Sequence, residues 1–163
     1  MNDTPAHVAE QLIAVIPPPL SRDVLHDYDL EPTLEQMQMI TKAILTMALF
    51  WIQSGLPLIV SQRECEGIMV QVRKQISERW GPVYALSDHA VEAYWPQEEA
   101  QWAAFARITQ QGGEPIAIFG EAVDRLESSG VFPASDVSKL LAVFIDWAPV
   151  EEIGDVLAQL ENE

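Results

Sequence analysis

AILTMALFWI, residues 43–52, carries no charge and a single hydroxyl, that of Thr46, in a 163-residue chain with a formal net charge of −16. The uncharged run extends to Gln62, bounded by Lys42 and Arg63. Such a run is long enough to cross a bilayer, which takes about 20 residues. Its internal pattern points elsewhere. Glu35, Gln38, Lys42, Thr46, Leu49 and Gln53 recur at separations of three and four, so a helix gathers them into one narrow stripe, polar except at Leu49, with apolar residues all around it. A spanning helix needs no such stripe. Gln53, Ser54, Gly55 and Pro57 then read as a helix end and turn. The segment is therefore expected to be the central, mostly buried helix of a globule, about residues 33–54, showing water along its polar edge.

Helix signals continue in both directions. Thr33 and Gln36 form a capping-box pattern at the start of the central helix. Upstream, Thr4 caps a helix with Pro5 in its first position and Val8, Leu12 and Ile16 on one face, stopped by Pro17, Pro18 and Pro19. Residues 17–32 read as a Pro-rich and acidic connection holding at most a short helix from Ser21. Downstream, Ser61 and Glu64 suggest another capping box before a face of Cys65, Ile68, Met69, Val72, Ile76 and Trp80, ended by Gly81 and Pro82. A short helix from about Ser87 to Tyr94 is expected next, with Pro96 restarting or kinking the chain before residues 97–110. Three Pro-led helices follow. Their expected faces are Ile116, Phe119, Val123 and Leu126; Val137, Leu140, Leu141 and Phe144; and Val150, Ile153, Leu157 and Leu160. Only Leu56 to Val60 has a strand-like composition, and a lone strand would lack a partner. The expected fold is an all-α, single-domain helical bundle of six to eight helices, with 1–163 as one domain.

Composition supports a folded chain: 48% of residues are hydrophobic, with five Trp, five Phe and three Tyr, well above what a disordered acidic chain carries. One cysteine, Cys65, allows no internal disulfide, and the start lacks a basic segment followed by an apolar one, so a cytoplasmic location is expected. The 25 acidic against 9 basic residues repel phosphate backbones and anionic lipid, which argues against direct nucleic-acid binding and membrane docking. A partner with a basic surface would be attracted.

Searching for chemistry mainly excludes it. The chain has no Gly-rich phosphate loop, nucleophile elbow or cysteine pair for zinc, and no cofactor is expected. Asp27, Asp29 and Glu31 match alternate ligand positions of a calcium loop, but Pro32 replaces the sixth-position glycine and Gln38 the twelfth-position glutamate, so no metal site is assigned. His89 and Glu92 would share a helical face, a pairing that an exposed first helical turn also explains. Cys65 falls in an apolar row and reads as a structural thiol. Arg73 and Lys74 make a basic spot too small for nucleic acid.

Two clusters combine carboxylates with aromatics, the composition of a surface that meets Arg or Lys. One is Asp23, Asp27, Tyr28, Asp29 and Glu31. The other is Glu98 and Glu99 beside Trp95 and Trp102. The resulting expectation is a non-enzymatic, soluble, acidic binding protein that holds another protein with a basic surface. Inhibitor or immunity proteins, chaperones, adaptors and mimics of DNA charge share this physics. The alternative is a small helical enzyme or metal-binding protein using acidic and His residues.

Overall fold

Capping side chains set the first four helix starts in the computed structural model, which describes residues 3–87 and 90–162. Thr4 Oγ1 accepts from the His7 N–H at 3.2 Å to open α1 (Pro5–Ala14), and Ser21 Oγ accepts from Val24 at 3.2 Å to open the short α2 (Arg22–His26). Both halves of the capping box open α3 (Leu34–Gly55): the Gln36 N–H donates to Thr33 Oγ1 at 3.1 Å, and Thr33 N–H donates to Gln36 Oε1 at 2.9 Å. At α4 (Gln62–Arg79) the Ser61 half of the expected box is made, to the Glu64 N–H at 3.2 Å. Then come α5 (Ala90–Gln110), α6 (Pro115–Ser128), α7 (Val137–Trp147) and α8 (Val150–Glu161). Leu56–Leu58 and Ala134–Asp136 form 3₁₀ turns, and no strand occurs among the described residues. The strand-like Leu56 to Val60 segment thus begins as a turn, with Leu56 buried and Leu58 exposed.

The architecture is an all-α, single-domain bundle around α3. One flank of α3, formed by Leu45, Ala48, Leu49, Ile52 and the following Leu56, packs against Val8 and Leu12 of α1, Ile68, Val72 and Ile76 of α4, and Ile153 and Leu160 of α8. The other flank, Ile40, Ile44, Met47 and Phe50, meets Phe105 of α5, Ile118, Phe119 and Val123 of α6, and Leu140, Val143 and Phe144 of α7. Trp51 touches both groups. Each fully buried Leu, Ile or Phe contributes about 1.5–3 kcal/mol, so a helix apolar on two flanks has two cores to fill. Among the described residues, α3 with its extension to Leu58 is long and apolar enough to cross a membrane. Its apolar flanks are occupied by the protein's own helices.

Three features depart from the sequence expectation. Pro96 neither ends nor restarts a helix: α5 runs through it. The ring deprives the Glu92 carbonyl of its i+4 donor, but Glu92 and Pro96 are both exposed, so water can supply one. α3 does end at Gly55, as expected, but with φ −85° and not in the left-handed conformation of a glycine cap. Its lack of a side chain serves packing instead, because a Cβ there would collide with Cδ1 of Leu157 on α8. On α6, Ile116 is exposed, and Ile118 takes the inward place alongside Phe119, Val123 and Leu126.

Candidate functional site

The two carboxylate–aromatic clusters have opposite fates. The stripe on α3 faces water at its start, where Glu35 is exposed, but from Thr46 to Gln53 it meets α5. Thr46 is 3% exposed and Glu98 2% exposed. Thr46 Oγ1 lies 2.8 Å from the Tyr94 hydroxyl, and Gln53 Nε2 donates to Glu98 Oε1 at 3.0 Å. The polar edge of α3 and the polar residues of α5 thus form a hydrogen-bonded seam between two helices. Glu98 is accordingly not a surface residue for a partner. Glu99, one helical step around, is exposed. Burial raises the Glu98 carboxyl above the ordinary glutamate range, against the pull of Arg73 and of the Gln53 hydrogen bond. Burial likewise pushes the Tyr94 phenol far up.

The first cluster stays at the surface, and its turn is built by backbone chemistry. The Leu30 N–H donates to the Leu25 carbonyl at 3.2 Å and the Asp29 N–H to that of His26 at 2.9 Å, with Asp29 in the left-handed region at φ 61°. This is a Schellman closure of α2, with Leu25 and Leu30 both buried in the same core. Asp29 occupies the left-handed position, and Asp27, Asp29 and Glu31 are all exposed. Among the described residues, no three His, Cys, Asp or Glu side chains converge on a possible metal position. Asp88 and His89 lie outside the described residues, and Glu92 is exposed. Cys65 is half-buried, and its thiol is pushed up by burial and the nearby Glu66.

Residues distant in sequence complete this surface. The Tyr28 hydroxyl donates to Asp146 Oδ2 at 2.6 Å and accepts from Trp147 Nε1 at 3.1 Å, joining the turn to the C-terminal end of α7. Burial and the Asp146 bond raise the Tyr28 phenol. Lys139 Nζ donates to the Asp29 carbonyl at 3.0 Å and pairs with Asp136 at 3.6 Å, while Arg22 binds the Pro32 carbonyl. Both nearby cations are therefore used to hold the turn. Asp23, Asp27, Glu31 and Asp146 have no ion-pair partner among the described residues. Beside them runs an open groove of about 650 Å³ whose lining includes His26, Asp29, Glu31 and Asp136. Sequence reasoning missed Asp136, Asp146 and Trp147, since only the packing of α7 brings them to the turn.

No protein-family model, curated protein or solved structure matches this chain.

Proposed function

We propose that this chain is a soluble, non-enzymatic acidic binding protein that holds the basic surface of another protein at the face formed by the 26–33 turn and the end of α7. The observation that carries this reading is the linked set Tyr28, Asp146 and Trp147. Two aromatic rings are fixed by hydrogen bonds at the surface, Trp147 is 37% exposed, and carboxylates without ion pairs surround them. A fixed aromatic anchor within a charged rim suits a partner that brings Lys or Arg. The excess of acidic residues over the whole chain adds long-range steering toward such a partner.

The test is a pull-down from the native cell at low and high salt, using the parent protein and the Asp27→Lys, Asp146→Lys double variant. The expected result is a basic protein retained by the parent at low salt, released at high salt and missing from the variant's eluate, because exposed charges are screened within about 10 Å at 0.1 M salt. Identical eluates from parent and variant, or no partner at either salt, would overturn the reading.

A further inference from the structure

Between α3, α5 and α6 lies a pocket of about 160 Å³. Its walls are Met39, Ala43, Ala122 and Leu126, its buried polar lining is Thr46, Tyr94 and Glu98, and the exposed Gln97 with the half-buried Lys42 and Gln101 stands at its edge.

The protons on the buried polar side are accounted for. Thr46 Oγ1 donates to the Lys42 carbonyl at 2.7 Å, and a carbonyl can only accept. The 2.8 Å contact between Thr46 and Tyr94 is therefore donated by the tyrosine hydroxyl. Gln53 Nε2 donates to one oxygen of Glu98. With the two hydroxyl protons spent, Tyr94 and the carboxylate of Glu98 have only acceptor capacity left for a ligand. Arg73, whose charge acts on Glu98, lies over the Trp95 ring at 6.0 Å and makes no ion pair with Glu98. The buried end of the lining, inside the edge residue Lys42, is therefore rich in acceptors and carries the Glu98 carboxyl, and its walls are apolar.

We infer that this pocket binds a small primary ammonium, with its head against Glu98 and Tyr94 and its apolar body between Met39, Ala43, Ala122 and Leu126. An ammonium offers three donors and no acceptor, complementary to what the lining leaves open. The volume sets the size, since a cavity of about 150 Å³ holds a benzene, which means a body of about six heavy atoms. Lys42 at the edge disfavours a second positive charge. This site is separate from the proposed docking face and stands independently of it.

Titration of isotope-labelled protein with pentylammonium, pentan-1-ol and 1,5-diaminopentane, followed by NMR, tests the inference. Pentylammonium should saturate shifts at residues of the pocket, binding at least about tenfold tighter than pentan-1-ol, equivalent to about 1.4 kcal/mol, and tighter than the diamine. Glu98→Gln should bring the ammonium and the alcohol to near parity. Ala43→Leu, which fills the pocket, should abolish both while circular dichroism shows the fold retained. The inference is overturned if pentylammonium gives no saturable shifts at millimolar concentration, if the alcohol or the diamine binds as tightly, or if folded Glu98→Gln keeps the ammonium preference.

Discussion

Tyr94 with Thr46 and Glu98, and Tyr28 with Asp146 and Trp147, use nearly the same parts in opposite surroundings. Each sets a tyrosine hydroxyl and a carboxylate in a polar cluster held by side-chain hydrogen bonds. The first lies between α3 and α5 with Thr46 and Glu98 almost fully buried, while the second lies at the surface with Asp146 exposed. What separates them is the helix face on which the carboxylate falls. Glu98 follows Tyr94 by four residues and so shares its inward face, whereas Glu99 turns outward. Composition alone does not distinguish a docking surface from an interhelical seam. The low dielectric around the seam makes its hydrogen bonds stronger and an unpaired charge there costlier.

The largest expected effect comes from adding a charge to each cluster. Thr46→Lys forces a longer side chain into the packed seam and loses two hydrogen bonds, and should destabilise by about 3–5 kcal/mol. Asp27→Lys, at the exposed turn, should stay within about 0.5 kcal/mol. Urea denaturation of both variants checks the contrast. Comparable midpoints would mean that α5 does not cover the stripe in solution, leaving it facing water as the sequence pattern alone suggests.

That expectation shows how far the sequence reaches. Thr4, Thr33 and Ser61 were legible as caps because capping depends on residues within one turn. The two apolar flanks of α3 were legible from helical spacing. The fate of its polar edge was not, because the same stripe suits water or a polar partner helix, and only the placement of Tyr94 and Glu98 decides between them. The continuity of α5 through Pro96 was hidden for a related reason: a proline's cost depends on whether its orphaned carbonyl can reach water. Of the candidate site, the Asp23 to Glu31 cluster was visible as a local run. Asp136, Asp146 and Trp147 join it only through tertiary packing more than a hundred residues along the chain.

A smaller effect should come from removing the hydroxyl of each tyrosine. Tyr94→Phe takes away the proton that Thr46 Oγ1 accepts in a buried place and should cost about 1–2 kcal/mol. Tyr28→Phe removes bonds that water can replace, so about 0.5 kcal/mol or less is expected. The second variant should instead weaken capture of the basic partner, because Trp147 loses the acceptor that orients its ring. Thermal melts together with the salt-dependent pull-down separate the two roles. Equal stability losses would place both tyrosines in one kind of environment and remove the distinction drawn here.

The smallest effect has the opposite sign and depends on pH. Burial is the main cause raising the Glu98 carboxyl, Glu99 adds to it, and Arg73 with the Gln53 hydrogen bond oppose it. An unfolded chain releases this proton near the usual glutamate value of about 4.3, while the folded chain holds it to higher pH. Between those two values the folded state binds more protons, so Glu98's contribution to stability is fully present below the unfolded value and declines as pH rises through the folded one. Glu98→Gln keeps an oxygen to accept from Gln53 and removes the charge. The variant should therefore melt close to the parent at pH 4 and above it toward pH 7, with the gap widening in between. Other carboxylates titrate in both proteins and cancel in the difference. Parallel curves would show that Glu98 titrates alike in folded and unfolded chains, as an exposed carboxylate does. Pentylammonium supplies the last discrimination: a cation seated beside Glu98 favours its charged form, so the ligand should narrow the gap at pH 7 and leave it unchanged at pH 4.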